Sequence, residues 1–150
     1  MKKLFLLTFI ISLSINTMSQ KTKFISMSPN LMVKDIKASH EFYTMVLGFK
    51  LLDQEPKNAD AVWMMFSYND ITIMIQSTES ITEEIPQLKS EHTGGTLTFY
   101  ITISDINSYY KKVSESAKVL KGLEKTFYGA TEFTIEDPDG YLFTFAEFDE

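Results

Sequence analysis

Glu132 is the acid best placed to act as a base. It lies in an alternating run, Thr131 to Glu136, in which Phe133 and Ile135 take one face and leave Glu132 and Thr134 on the other. Burial there is expected to raise its carboxyl pKa toward the range useful for proton transfer. The alternative for this position is a solvated strand residue paired with a lysine. The two histidines offer less: His40 falls in a helical pattern and His92 in a polar stretch, and neither has the neighbours that catalysis or metal binding needs. All 14 basic residues are lysines, so no guanidinium is available for a two-pronged grip on carboxylate or phosphate. The absence of cysteine excludes a thiol nucleophile, a zinc ribbon and iron–sulfur ligation. Asp137 to Gly140 has part of a calcium-loop spacing but lacks the remaining oxygen ligands, and a turn explains it better.

The elements that must position such residues come in two copies. An offset of about 70 residues superposes Val33, Asp35 and Ile36 on Ile103, Asp105 and Ile106. Phe24 to Val33 and Leu97 to Ile103 read as strands, and Asp35 and Asp105 as the N-caps of helices that follow. The first helix carries Ile36, Phe42, Tyr43, Val46 and Leu47 at helical spacing and stops at Gly48; the second runs from Ile106 to about Ala117. Strands are then expected at Phe49 to Glu55, Ala61 to Ser67 and Ile71 to Ser77. In the second half they fall at Lys118 to Leu120, Thr131 to Glu136 and Tyr141 to Phe148. Each half reads as βαβββ. Module 1 spans about 24–78, module 2 about 96–148, and a polar linker over 79–95 has room for a helical turn near Glu83 to Leu88.

Strand parity sorts the side chains further. Ile71, Ile73 and Ile75 should pack on a helix, leaving Thr72, Met74 and Gln76 on the opposite face; Thr98, Tyr100 and Thr102 oppose Phe99, Ile101 and Ile103 by the same rule. Leu142, Thr144 and Ala146 likewise oppose Tyr141, Phe143 and Phe145, and Trp63 shares a face with Met65. Together with Ser28 and Asn30 on the first strand and Tyr128 beside Gly129, these make a lining of hydroxyls, amides, thioethers and aromatic edges. Such a lining suits a small, largely neutral organic molecule held by burial and a few oriented hydrogen bonds. Sheet packing is the alternative for Trp63, core filling for Met64, and an exposed loop aromatic for Tyr128.

Residues 1–19 read as a secretory signal peptide: Lys2 and Lys3, an apolar run from Leu4 to Ile15, then a polar exit. A retained apolar arm is the alternative. The run is too short for a spanning helix, which needs about 20 apolar residues. The expectation is an exported, periplasmic or secreted, single domain over 20–150 with no stable membrane anchor after cleavage. With 20 acids against 14 lysines the net charge is −6, and losing Lys2 and Lys3 makes it more negative, so phosphate backbones and hence nucleic acid are poor partners.

The strand ending in Val33-Lys34-Asp35, the Phe42-Tyr43 pair before Val46-Leu47-Gly48-Phe49, and Tyr128-Gly129 leading to Asp137-Pro138-Asp139-Gly140 together resemble the vicinal oxygen chelate superfamily. Its members include glyoxalase I, bleomycin-resistance proteins and extradiol dioxygenases. The resemblance implies an α+β fold of two βαβββ modules whose curved mixed sheets form a cup, helices outside and ligand inside, commonly in a homodimer. In metal-dependent members four residues, usually His and Glu, hold a divalent cation. The matching positions here are Ser28, Met74, Thr98 and Thr144, none of them a usual ligand. The expectation is therefore no metal and no cofactor, and a cup that binds or sequesters a small molecule in the manner of bleomycin-resistance proteins. Two alternatives stand beside it: a glyoxalase-type lyase, isomerase or dioxygenase using a displaced metal or Glu132, and a structural role with a vestigial cup.

Overall fold

In the computed structural model the described residues are 22–149, except 58 and 96. The expected signal peptide lies outside them. Module 1 runs β1 (Asn30–Val33), α1 (Ile36–Glu41), β2 (Lys50–Glu55), β3 (Trp63–Tyr68) and β4 (Ile71–Ser77). Module 2 runs β5 (Thr98–Thr102), α3 (Ile106–Val113), β6 (Lys118–Lys125), β7 (Ala130–Glu136) and β8 (Leu142–Phe148). Between them lie α2 (Thr78–Glu84) and a 3-10 turn (Pro86–Ser90). Each module forms a four-stranded mixed sheet, ordered β1-β4-β3-β2 and β5-β8-β7-β6. The fold class is α+β, as the sequence pattern leads one to expect.

The 70-residue offset is physical along the inner strands: Leu31 pairs with Ile75 and Ile101 with Phe145, each in a parallel ladder. It slips to 69 at β3 and β7. Trp63 pairs with Gln76, whereas Glu132 pairs with Ala146, so Trp63 and Glu132 are structural equivalents. Between the bonded ends Asp137 and Tyr141 the turn after β7 holds Pro138-Asp139-Gly140, one residue more than the two-residue Asn69-Asp70 hairpin, and absorbs the difference.

Several boundaries differ from the pattern, each for a local reason. The run Phe24 to Val33 is strand only from Asn30, because the ladder partner β4 begins its pairing there and Pro29 has no N–H to donate. The first helix reaches Leu47, but from Phe42 to Val46 it widens into a π-helical turn. Gly48, at φ +85°, then reverses the chain. The second helix ends at Val113 rather than near Ala117. β6 continues to Lys125, well past Leu120, through two register shifts around Gly122 that its weak alternation hides.

The helix caps divide in the same way. Asp35 accepts from the amides of Lys37 and Ala38, as an N-cap should. Asp105 does not cap: it sits in the left-handed region at φ +57° and its side chain makes no cap bond. Glu147 on β8 does so instead, accepting from the Asp105 and Ile106 amides at 2.6 and 3.2 Å.

Both apolar sheet faces contribute to one core with the helices between them. Tyr43 is fully buried, stacked on Phe66 of module 1 and edge-on to Phe143 of module 2, and its hydroxyl donates to Asp137 at 2.8 Å. Tyr109 packs on Phe133 and Phe145 while its hydroxyl reaches the Leu47 carbonyl. The Asp137-Pro138-Asp139-Gly140 turn is a clasp as well as a turn. Asp139 accepts from the Lys34 amide and the Ser39 hydroxyl, and the Tyr141 hydroxyl donates to the Met32 carbonyl. Within one chain the helices therefore lie inside, between the sheets. This corrects the expectation of helices outside: the large aromatics of α1 and α3 need burial on both sides, and only the space between the two apolar faces provides it. The polar faces turn outward.

Candidate functional site

The outward face of module 1 gathers Ser28, Asn30, Trp63, Met65, Met74 and Gln76. Parallel pairing sets Asn30 beside Met74, and antiparallel pairing sets Met65 beside Met74 and Trp63 beside Gln76. The Asn30 amide donates to Gln76 Oε1 at 2.7 Å. Gln76 Nε2 in turn donates to Ser80 Oγ and Glu84 Oε2, both at 3.0 Å, because α2 folds back over that end of the sheet. The buried Gln76 amide is fully committed, which leaves Asn30, Trp63 and the two methionines as the surface a ligand would meet. Ser28 bonds its hydroxyl to that of Thr72. Thr72 belongs to the expected lining, whereas nothing in the sequence marks Ser80 and Glu84; all three complete hydrogen-bond capacity that a buried amide and hydroxyls must fill.

On module 2 the outward face brings together Tyr100, Tyr128, Glu132 and Thr144, with Thr98 exposed at the start of β5. Glu132 is 5% exposed. Tyr100 OH donates to its Oε1 at 2.5 Å and Tyr128 OH to the same oxygen at 2.7 Å. Burial pushes the Glu132 carboxyl up, but the two phenol bonds and nearby Lys121 together outweigh it, so the group lies below its ordinary value. This reverses the direction expected from burial alone: at neutral pH Glu132 is a carboxylate. The bond to Glu132 raises the Tyr100 phenol, with burial second, and raises Tyr128 in the same order. Thr144 shares a hydrogen bond with Thr134 at 2.9 Å.

The candidates thus form two half-sites, one on each sheet, separated by the core. A cavity of about 310 Å³ lies elsewhere, at the seam between modules, lined among others by Phe49, Tyr68, Ile71, Ile101, Tyr109 and Phe145. Of the expected lining residues only Thr102 reaches it.

Residues 25–145 match the family model of the Glyoxalase/Bleomycin resistance protein/Dioxygenase superfamily. The chain belongs to this superfamily. Solved structures agree on the fold. One is a protein of unknown function from Agrobacterium tumefaciens, 24% identical, with a TM-score of 0.70 over 88% of this chain and 98% of that one. Another is a glyoxalase/bleomycin resistance protein/dioxygenase from Nocardioides, 20% identical, with a TM-score of 0.70 over 87% of each chain. TioX from Micromonospora sp. ML1 is 19% identical, with a TM-score of 0.67 over 83% of this chain and 99% of that one. No curated protein gives a significant match.

Superfamily membership raises the question of a metal, and the donor set answers it poorly. Ser28 and Thr144 are hydroxyls already bonded to threonines, Thr98 is a third hydroxyl and Met74 a thioether. With no imidazole or carboxylate among them they do not fit Zn²⁺, Ni²⁺, Mn²⁺ or Fe²⁺. Among the described residues no three His, Cys, Asp or Glu side chains gather elsewhere to replace them.

Proposed function

We propose that this chain binds a small, largely neutral organic molecule without a metal, in a binding or sequestration role of the bleomycin-resistance kind. The observation that supports it is the lining itself. The outward faces carry hydroxyls, two amides, thioethers and aromatic rings, while the four positions available to a cation carry none of its usual ligands. Burial of an apolar body against Trp63, Met65 and Met74 supplies affinity, and Asn30 and Thr98 supply orientation. Each face is open in a single chain, so a second copy of this chain is the partner that encloses the ligand: the Trp63 face of one copy closes over the Tyr100 face of the other.

Export fits the reading. The pattern of residues 1–19 is that of a secreted or periplasmic protein, and N-terminal sequencing of the protein recovered from its host checks it.

The test is a thermal-shift screen of neutral aromatic metabolites and antibiotics on chelator-treated protein. A ligand selective for the native state stabilises it by about 2.7 kcal/mol at a hundredfold excess over Kd. The expected result is stabilisation unchanged by chelator or by added Ni²⁺, Zn²⁺ or Mn²⁺. Purified protein that retains stoichiometric metal and loses its ligand on chelation overturns the proposal.

A further inference from the structure

We infer that the ligand carries a protonated nitrogen, and that Glu132 seats it between the rings of Tyr100 and Tyr128. The inference rests on the small-molecule reading above and changes it in one respect: the body stays aromatic or apolar, but one end is a protonated amine instead of a neutral group.

The argument starts from an imbalance at one carboxyl group. Glu132 is 95% buried in residue terms, and an ionised carboxylate in such a place is tolerated only when hydrogen-bonded or paired. Both phenols satisfy it through the same atom, Oε1. Oε2 accepts no hydrogen bond among the described residues, yet it is not sealed: the only buried side-chain polar atom there without a partner is Thr93 Oγ1. Oε2 is therefore a charged acceptor with no hydrogen-bond partner among the described residues and some contact with solvent.

The surroundings keep that face negative. Glu124 sits directly opposite Glu132 across β6 and β7, and the one ammonium nearby, Lys121, is ion-paired to Glu124. Two carboxylates against one lysine leave an excess negative charge. The next pair along, Lys125 with Asp149, is balanced. Thr134 and Thr144 are neutral and spend their hydroxyls on each other.

The rings supply the second element of recognition. Tyr100 and Tyr128 are 51% and 50% exposed and their hydroxyls are fixed on the carboxylate, so aromatic surface lies beside it. A cation over a tyrosine face gains about 0.5–1 kcal/mol at exposed sites and more when desolvated. A carboxylate with one oxygen lacking a protein donor, beside two exposed aromatic rings, suits an N–H-bearing cation better than an alcohol, which gains neither the charge pairing nor the cation–ring attraction.

The duplication shows that a buried carboxylate at this strand position belongs to one half alone. The equivalent of Glu132 in module 1 is Trp63, on a face with Asn30, Met65 and Met74, where the nearby carboxylates are Glu55 across the ladder and Glu84 on the Gln76 amide. One half therefore receives an aromatic or apolar body and the other a cationic end. Phenethylamine is the simplest probe with both parts.

The experiment compares phenethylamine with 2-phenylethanol and with phenethyltrimethylammonium, by chemical-shift titration at neutral pH on the full protein and on Glu132→Gln. Charge-assisted hydrogen bonds predict that phenethylamine binds at least about tenfold tighter than the alcohol. The quaternary analogue, which has charge but no N–H, falls between them, and Glu132→Gln levels the series. A melting curve and an unliganded spectrum establish that the variant is folded; the wild-type comparison stands without it. Equal affinity for amine and alcohol, or no amine binding at millimolar concentration, overturns the inference. If neutral compounds from the thermal-shift screen still bind, the failure is confined to the cation; if nothing binds, the small-molecule reading fails with it.

Discussion

Tyr43 and Glu132 are both bonded across a carboxylate, and they differ in what the sequence discloses about them. Tyr43 is legible as an apolar helix residue, but its bond to Asp137 spans 94 positions and no local pattern predicts it. Tyr43→Phe leaves a buried carboxylate short of a donor, so a loss of about 1–3 kcal/mol is expected, read as a lower urea midpoint at unchanged slope. For Glu132 parity gives the face correctly, yet the sign of the pKa shift depends on two phenols, one of them 32 residues distant in the chain. The pH consequences run in opposite directions. Glu132 is lowered on folding, so its contribution is present above the ordinary glutamate value, about 4.3, and is lost as pH falls through the folded value. Asp137 is raised, by burial first, so its contribution is present below the ordinary aspartate value, about 3.9, and is lost as pH rises through the folded value. Urea midpoints against pH should therefore show wild type losing more stability than Glu132→Gln below about pH 4. Parallel curves would contradict the assignment of the phenol bonds.

At the scale of elements, the strands and helices are legible where hydrophobic period and capping chemistry coincide. α1 shows this, with Asp35 in place and Gly48 beyond. In the sequence β6 ends early because Gly122 and its lysines break the alternation, although the ladder with β7 carries it on through two irregularities. The 69-residue relation of Trp63 to Glu132 was hidden for a related reason: one added turn residue displaces the repeat, and only pairing reveals it. The start of α3 gives the sharpest test. Sequence position points to Asp105 as the cap, whereas the structure gives that role to Glu147, 42 residues later. Glu147→Ala should cost about 0.5–2 kcal/mol and speed hydrogen exchange at the Asp105 and Ile106 amides. Asp105→Gly should be neutral or slightly stabilising, since glycine takes φ +57° without strain. The reverse ranking would restore the sequence reading. Gly94 makes a second point about elements: a Cβ there would lie 2.6 Å from Gly140 backbone at φ +73°, so Gly94→Ala forces the clasp turn open and should lower the melting temperature.

The whole molecule poses a problem that neither residues nor elements resolve. Two modules pack apolar face to apolar face, which uses up the surface that folding can bury and turns both half-sites outward. The 70-residue repeat makes the modules and their order legible, while the resemblance puts the helices on the side opposite to the one they share within one chain. That depends on long-range aromatic contacts such as Tyr43 with Phe143. A ligand resting on one open face keeps much of its surface in water, whereas binding sites usually enclose most of theirs. A second copy removes the difficulty by laying its module 2 on the first copy's module 1. Sedimentation of wild type should then give a dimer, and Trp63, the single tryptophan, should report it, its emission moving to shorter wavelength as concentration rises. Met65 pairs with Met74 at the middle of the module 1 face, so Met65→Lys places a charge where the partner must dock. Because Met65 points away from the core, that variant should keep its fold and its far-ultraviolet spectrum while sedimenting as a monomer. Ligand affinity should fall together with dimerisation. A monomeric wild type that binds ligand as well as the variant does would show that one open face suffices, and the pairing of half-sites across two copies would have to be given up.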